Sequence, residues 1–340
     1  MVEISSPVGL IVNPAAGKSS ARIADVVPKL VTEFAATTVL TGPGALGAAV
    51  LSTWNGQTVG HDFPNDNTRE TTEALARWIV GHRPSVLIVV GGDGTLSDVA
   101  QVCATSGARV PILGVGAGST NVGNLVTCKL ERVADVKVRD LETWSPPCLS
   151  ATVNGQDVAL AFNDVVIGYT VVGTVNGVRT DLDAAQRMQG RIIHRKPRGI
   201  GGGETRVVKR TPQSTHTVGA GRRVGAVVAG FAEPSFIGKA ISGGVCLSAL
   251  AGLPAGCVVS NVPLVRVGMT PQEIQDAPPL TTKYVSLSDD AEILVRSVNP
   301  GAVLCVDGNP VRCLTSADCV QIRVRREAVV AFRSKNREIR

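Results

Sequence analysis

One aspartate in this chain lies within a run of glycines, a setting that suits phosphate chemistry. Gly91, Gly92 and Gly94 surround Asp93, and Thr95 follows directly. Glycine lacks a Cβ atom, so its backbone can approach a phosphate closely. A carboxylate in such a loop can orient or deprotonate a hydroxyl group, while nearby N–H groups hold phosphate oxygens. We therefore take Asp93 as the candidate catalytic base, and the three glycines and Thr95 as candidate nucleotide-binding residues.

A second glycine-rich segment, GVGAGSTNVGNL, runs from Gly114 to Leu125. Two such loops after neighbouring strand candidates indicate a shared ligand crevice, although each alone also fits a tight strand-to-helix turn. Asn13 follows the first apolar strand, where a ligand contact and an ordinary turn are both open; the nearby GKSS stretch fails the P-loop spacing. The candidate binding residues of these segments are Asn13, Gly118, Ser119, Thr120, Asn121 and Asn124.

The first 145 residues alternate between apolar strand patterns and helix patterns, which predicts a doubly wound α/β domain. The run from Val86 to Val90 is apolar without polar alternation, as expected for a strand near the centre of a parallel sheet. The predicted strands are Val8–Val12, Thr37–Leu40, Thr58–His61, Val86–Val90 and Val110–Val115. The predicted helices are Ser20–Phe34, Ala45–Trp54, a helix capped by Asn67 or Thr68 that ends near Gly81, and Leu96–Ala104.

Ser145-Pro146-Pro147 breaks this pattern, and the chain then becomes rich in short strands separated by turn residues. We predict a second domain over residues 146–325, a β-sandwich or two packed sheets, with the tail 326–340 returning to the first domain. Asn154-Gly155 and Asp307-Gly308 predict tight hairpins, and Thr180–Gln189 is the expected helix. The predicted strands are Cys148–Val153, Val158–Phe162, Val165–Tyr169, Arg206–Lys209, Arg223–Val228, Lys283–Leu287, Glu292–Val298 and Cys319–Arg325.

Composition restricts the kind of partner. The 340 residues carry a net charge of +6, which suits anionic small molecules, nucleic acid or an anionic membrane, but aromatic residues are only 3%, which disfavours single-stranded nucleic acid. The eight cysteines show no CxxC pair, and we expect most of them to be reduced core residues. The N-terminus lacks a secretory pattern and no long apolar run suggests a spanning helix, so we expect a cytoplasmic protein without stable membrane insertion.

The densest basic segment runs from Arg187 to Arg210 and is interrupted by GIGGG. One interpretation is a solvated hairpin or mobile loop. The other is a flap that neutralises phosphates, because arginine binds them in a bidentate manner.

Four places in the chain resemble the superfamily of NAD kinases and diacylglycerol- or sphingosine-type lipid kinases. They are Asn13-Pro14, GGDGT at Gly91–Thr95, Asn163-Asp164 in AFNDVVIG, and VDG at Val306–Gly308. The segment TGPGALGAA is similar to a divergent ATP-NAD kinase-like branch that includes AcoX-type proteins, and GAGSTNVGNL is similar to a lipid kinase segment. The stretch Ala232–Gly244 lacks the tyrosine found in the corresponding loop of NAD kinases.

The resemblance implies an NAD kinase-like fold and an ATP- or polyphosphate-dependent kinase that phosphorylates the 2′-hydroxyl of NAD, with the nucleotide held between the two domains. Asp93 would then act as the base, Asn163 and Asp164 would hold the acceptor sugar, and Mg²⁺ would arrive with the donor, without an assigned protein ligand. For Asn163-Asp164, a plain turn within a hairpin stays open. A lipid kinase, a kinase of another small hydroxyl compound and a non-catalytic nucleotide-binding module are the alternatives, and we expect a homo-oligomer.

Overall fold

The computed structural model describes residues 7–16, 20–118, 121–175, 178–232, 248–264 and 266–335. The chain divides into two compact units. Unit 1 comprises Met1–Pro146 and Arg326–Arg340, and unit 2 comprises Pro147–Arg325. Each unit has its own hydrophobic core. Among the described residues, no helix has both the length and the apolar character needed to cross a membrane.

Unit 1 is built on one mostly parallel sheet, with strands numbered in chain order over the whole protein. The strands are β1 (Val8–Val12), β2 (Thr38–Thr41), β3 (Gln57–Gly60), β4 (Leu87–Gly91), β5 (Ile112–Gly116), β6 (Val126–Lys129), β7 (Leu141–Trp144) and β22 (Ala331–Ser334). The helices are α1 (Ser20–Glu33), α2 (Arg69–Gly81) and α3 (Asp93–Ser106). The strand order is β3-β2-β1-β4-β5-β22-β7, with β6 also paired to β5.

The apolar run that ends in the first glycine loop forms β4, and all its residues are buried. It pairs in parallel with β1 on one side and with β5 on the other. This confirms the expected place near the sheet centre. The carboxyl ends of β1, β4 and β5 consequently lie side by side, which is where open α/β sheets bind ligands.

Helix α2 begins as its sequence predicts, because the Thr68 side chain caps it by accepting a hydrogen bond from the backbone N–H of Thr71. The helix predicted over Ala45–Trp54 is wrong. Two short 3₁₀ turns, Gly44–Leu46 and Ala48–Leu51, occupy this region. Gly47 separates them with φ +153°, and a Cβ atom there would lie 1.8 Å from the Thr41 hydroxyl oxygen. A continuous α-helix cannot pass through that conformation.

Unit 2 is a β-sandwich, as the strand-rich sequence predicts. One sheet has the order β14-β13-β18-β21-β8-β9, the other has the order β17-β16-β15-β10-β19-β20, and β11 and β12 form a separate hairpin. The strands are β8 (Cys148–Val153), β9 (Gln156–Ala161), β10 (Asp164–Gly168), β11 (Thr170–Val175), β12 (Val178–Asp183), β13 (Gly201–Arg210), β14 (Thr215–Ala220), β15 (Ala226–Phe231), β16 (Ala255–Ser260), β17 (Thr282–Leu287), β18 (Glu292–Val298), β19 (Val303–Val306), β20 (Asn309–Cys313) and β21 (Cys319–Arg325). The two described helices are α4 (Ala184–Met188) and α5 (Pro271–Gln275).

Both predicted hairpins of unit 2 are confirmed. Asn154 and Gly155 adopt φ +53° and +80° between β8 and β9, and Asp307 and Gly308 adopt +48° and +81° between β19 and β20. Two successive positive φ values are the mark of a type I′ turn. The helix predicted over Thr180–Gln189 is too long. Strand β12 continues to Asp183, whose side chain caps the shorter α4 by accepting from the N–H of Gln186.

Candidate functional site

The first glycine loop of unit 1 is the start of helix α3. Gly92 is the N-cap residue with extended backbone, and Asp93, Gly94 and Thr95 form the first turn. A Cβ atom on Gly91 would lie 2.7 Å from the Thr95 Cβ, so this close turn requires glycine. The first turn of a helix offers N–H groups without intrahelical acceptors and a positive dipole end. The loop therefore has the properties of an anion site.

Asp93 connects this loop to the second glycine-rich segment. One of its carboxylate oxygens accepts a hydrogen bond from the N–H of Gly123 at 2.9 Å, and the other accepts from the N–H of Val122 at 3.2 Å. The residue is half-buried. An ionised carboxylate has about four acceptor positions, and these two N–H groups use two of them. The carboxylate thus has a structural task in addition to any catalytic one.

Asn13 brings the loop after β1 to the same place. Its side-chain N–H donates to the Thr95 hydroxyl oxygen at 2.7 Å, and its side-chain oxygen accepts from the N–H of Ala15 at 2.9 Å. Thr95 is 8% exposed. With the Asn13 amide donating to it, the Thr95 hydroxyl is left to direct its own proton elsewhere, as a phosphate oxygen would require. Lys18 of the nearby GKSS stretch lies outside the described residues.

The second loop touches the first through backbone. The N–H of Ala117 donates to the carbonyl of Gly91 at 2.8 Å, and a Cβ on Gly118 would lie 2.8 Å from the Gly92 Cα. Asn121 adopts φ +54° and donates to the Gly118 carbonyl at 2.7 Å. Among the described residues, the buried side-chain oxygen of Asn121 has no hydrogen-bond partner. A buried acceptor in this position suits a ligand hydroxyl, a ligand amine or a water molecule.

Three more candidate residues belong to this segment. Asn124 is half-buried. Ser119 and Thr120 lie outside the described residues, as do residues 233–244 of the stretch that lacks the tyrosine. The structure therefore brings Asn13, Asp93, Thr95, Gly118 and Asn121 together at the carboxyl ends of β1, β4 and β5.

Asn163 and Asp164 lie in unit 2 at the turn from β9 into β10, and both are half-buried. The Asn163 amide donates to the Asp164 carboxylate at 3.5 Å. Their backbone is held by Asp307, whose carboxylate accepts from the N–H groups of Phe162, Asn163 and Asp164 at 2.7, 2.8 and 2.8 Å. The sequence places Asp307 in a predicted hairpin and in the VDG motif but assigns it no role, because nothing local in Asp-Gly distinguishes a carboxylate that binds distant backbone from a plain turn.

The donor set fits a metal ion that arrives with phosphate. In the described part of the chain, no three or more His, Cys, Asp or Glu side chains cluster as a metal cage. Mg²⁺ keeps several waters and binds through one or two carboxylates together with substrate phosphates. Asp93 is a carboxylate of that kind beside a phosphate-type loop, and a bound Mg²⁺ would neutralise charge on the donor phosphates.

Five buried cysteines are unsuited to nucleophilic chemistry. Burial raises the pKa of the thiols of Cys103, Cys128 and Cys257 to about 12. The same holds for Cys148 and Cys305, where burial is again the largest cause. A thiol with such a pKa is not a nucleophile near neutral pH. This agrees with the interpretation of most cysteines as small core residues.

Several arginines of the basic segment from Arg187 to Arg210 contact acidic or aromatic side chains. Arg195 forms a 2.6 Å ion pair with Asp183, and the Arg198 guanidinium lies 4.0 Å from the ring centre of Tyr169. Arg210 lies in β13 and pairs with buried Glu292. The ion pairs partly neutralise Arg195 and Arg210, and the solvated hairpin or mobile loop and the phosphate-neutralising flap both stay predictions.

Known proteins resemble this chain in the region that contains the two glycine-rich segments. A model of the ATP-NAD kinase N-terminal domain family matches residues 8–125, which include β1, β4, β5 and both glycine-rich segments. An uncharacterized protein of Archaeoglobus fulgidus is 30% identical over 250 residues, 72% of this chain and 73% of that protein. An NAD kinase of Acidobacterium capsulatum is 36% identical over 155 residues, 39% of this chain and 52% of that enzyme.

The chain belongs to the NAD kinase and diacylglycerol kinase superfamily. A solved structure of a putative diacylglycerol kinase from Bacillus anthracis covers 98% of this chain and 98% of its own, with 14% identity and a TM-score of 0.53, which shows a common fold. This superfamily consists of phosphotransferases that act on hydroxyl acceptors, and the protein is such an enzyme. The resemblance stated from the four motifs, and the α/β plus β-rich fold class, are thereby confirmed.

Proposed function

We propose that the protein is an ATP- or polyphosphate-dependent kinase that phosphorylates the 2′-hydroxyl of NAD to give NADP. The observation that carries the proposal is the Asp93 loop, a carboxylate in the first turn of α3 beside Asn13 and Thr95. The matching NAD kinase family model and the NAD kinase relative support the choice of acceptor. Phosphoryl transfer depends mainly on positioning and charge neutralisation, and these groups suit both tasks.

In this proposal the residues of unit 1 serve the donor and the attacking hydroxyl. The N–H groups of the first turn of α3 and the Thr95 hydroxyl bind donor phosphate oxygens, and Asn13 fixes the orientation of that hydroxyl. Asp93 accepts the proton of the acceptor hydroxyl as the hydroxyl oxygen attacks the terminal phosphorus of the donor, and the bond from that phosphorus to the remaining ADP or polyphosphate breaks. Asp93 and the donor phosphates would together hold Mg²⁺, which would neutralise phosphate charge.

Asn163 and Asp164 of unit 2 serve the acceptor sugar. An amide and a carboxylate side by side provide both donor and acceptor atoms for vicinal hydroxyl groups. Their half-buried position and their fixed backbone suit a binding role. Binding energy obtained in this way places the hydroxyl without taking part in the chemical step.

A transfer assay on the full chain tests the acceptor. The protein is incubated with Mg²⁺ and either ATP or polyphosphate, together with NAD, NADH, diacylglycerol in vesicles or small polyols. We expect NADP formation from NAD and a thermal stabilisation that grows with NAD concentration. Phosphorylation of diacylglycerol without that of NAD would overturn the proposal in favour of a lipid kinase. Tight ATP binding without transfer to any acceptor would point instead to a non-catalytic module.

A further inference from the structure

Asp307 is a buried carboxylate directed at backbone and not at open space. It is 6% exposed, and its two oxygens accept from three consecutive N–H groups, those of Phe162, Asn163 and Asp164. The contact is reciprocal, since the Asp307 N–H donates to the Asp164 carbonyl at 3.0 Å. The partners lie 143 to 145 positions apart in the chain. Such charge-assisted bonds are stronger than neutral ones.

The clamp fixes the part of the backbone from which the acceptor pair projects. Phe162 is 1% exposed, so one end of the turn is held by a buried side chain. At the other end, β10 is paired to β19, with Val165 opposite Val306. Between these anchors, the turn has its N–H groups directed at one carboxylate. Without that carboxylate, three N–H groups in a half-buried turn would need new partners or water.

The conformation of Asp307 serves this contact. Its φ of +48° and the +81° of Gly308 belong to the type I′ turn that joins β19 to β20. Aspartate tolerates this left-handed region better than most residues, and its short side chain can reach neighbouring backbone. The hairpin turn therefore does two things: it reverses the chain, and it presents a carboxylate to the adjacent β9–β10 turn.

We propose that Asp307 is the positioning residue for the acceptor pair Asn163–Asp164, an inference that rests on the proposed function of that pair. It acts through the backbone of residues 162–164 and not by touching the substrate. Its loss should weaken acceptor binding while leaving donor binding and the chemical step largely intact. A purely structural role would lower stability without separating acceptor from donor.

The test compares Asp307→Asn with Asp318→Asn in the full-length protein. Asp318 is a matched control in the same unit, since its carboxylate is also nearly buried and accepts from the N–H of Thr315 at 2.7 Å and from the Asn154 amide at 2.7 Å. Measurements are amide hydrogen exchange at residues 162–164, the thermal shift produced by NAD and by ATP, and KM and kcat for each substrate. Asp307→Glu, which keeps the charge and moves it by one methylene, is the second variant in case Asp307→Asn does not fold.

For Asp307→Asn we expect exchange at 162–164 to accelerate about tenfold or more, because local opening becomes easier. The KM for NAD should rise about 10- to 100-fold, the range expected for losing a hydrogen bond to a charged group, with kcat and the KM for ATP within about threefold. Asp307→Glu should change the same quantities less, and Asp318→Asn should change none of them.

Three outcomes separate this inference from the proposed function. Faster exchange with an unchanged KM and thermal shift for NAD overturns the positioning role and leaves the NAD kinase proposal intact. A weakened NAD thermal shift in Asp307→Asn, with no turnover by the wild type, supports positioning and overturns the kinase proposal. Absence of any NAD binding by the wild type overturns both.

Discussion

At the residue scale, Asp93 has two tasks that compete for the same atoms. Its oxygens accept the N–H groups of Val122 and Gly123, and the proposed reaction asks them also to accept a proton. The two bonds hold the carboxylate in one orientation, which is what a positioned base needs. The same bonds mean that a change at Asp93 reaches the second glycine loop. In the proposed mechanism, catalysis and the geometry of the second loop are therefore coupled through one side chain.

Asp93→Asn should lower turnover by roughly 10²- to 10⁴-fold, the usual weight of a positioned acid or base. The amide keeps one acceptor oxygen for the loop, so we expect the fold and the ATP-dependent thermal shift to remain. Steady-state kinetics and thermal shift on the same preparation check both parts. Asp25→Asn is the control, because Asp25 is an exposed carboxylate in α1 that forms a surface ion pair with Lys29 at 2.9 Å. Full activity of Asp93→Asn would remove Asp93 from the mechanism.

At the element scale, three neighbouring strands of unit 2 share one buried charge. Glu292 of β18 lies opposite Arg210 of β13 and opposite Arg323 of β21. Its side chain is 4% exposed, and the Arg323 Nε donates to it at 2.6 Å. Burial by itself would raise the pKa of Glu292, but hydrogen bonds from Arg323, Gln321 and Arg210 outweigh burial and lower it. Cross-strand pairs of this kind fix the register of adjacent strands.

Glu292→Gln should destabilise unit 2 by about 1–3 kcal/mol at pH 7, a range for lost charged hydrogen bonds that allows for the half-exposed arginines. The pKa of Glu292 is lower in the folded state than in the unfolded state. Its contribution to the free energy of unfolding is therefore fully present above the unfolded pKa of about 4.3 and is lost as the pH falls through the folded pKa. Urea unfolding of wild type and variant, followed by circular dichroism at pH 7 and at acidic pH, should give curves that converge in acid.

Glu204→Gln is the control for this experiment, since Glu204 is an exposed glutamate in β13. It should change stability by less than about 0.5 kcal/mol, as surface substitutions generally do. If the free energies of unfolding of Glu292→Gln and wild type differ as much at acidic pH as at pH 7, the electrostatic explanation is contradicted.

At the scale of the whole molecule, the first unit is completed by the last strand. Strand β22 lies between β5 and β7, so the chain leaves unit 1 after Pro146 and returns at Arg326. Phe332 is 2% exposed, and its ring centre lies 6.2 Å from that of Phe34 in α1. Its carbonyl accepts from the Thr127 hydroxyl at 2.7 Å. The core of unit 1 therefore depends on residues from both ends of the chain.

Phe332→Ala should destabilise unit 1 by about 3–5 kcal/mol, the usual cost of removing a buried phenylalanine. All three tryptophans, Trp54, Trp78 and Trp144, belong to unit 1, so tryptophan fluorescence during urea unfolding reports on this unit. Phe63→Ala is the control, because Phe63 is only half-buried. This variant should lose markedly less free energy of unfolding than Phe332→Ala. Equal losses in the two variants would mean that β22 adds little to the core.

The elements that depend on neighbouring residues could be predicted from the amino-acid sequence. The apolar run before Gly91, the Thr68 cap and the Asn-Gly and Asp-Gly turns all follow from local propensity, hydrophobic pattern or backbone conformation. The same local signals overestimated the helix near Ala45, where glycine conformation decided otherwise. They also placed Asp93 in a phosphate-type loop, because glycines and an acid after a buried strand are a local pattern.

The contacts between groups far apart in the chain could not be predicted from the sequence. The bonds from Val122 and Gly123 to Asp93, the insertion of β22 beside β5, and the clamp of Asp307 on residues 162–164 each join segments far apart in the chain. Propensities and periodicities act over a few residues, whereas these contacts exist only after strands pair and turns come together. Asp307 illustrates both cases. The dipeptide Asp307-Gly308 is enough to predict the hairpin, but the contact of its carboxylate with residues 162–164 forms only because β10 pairs with β19.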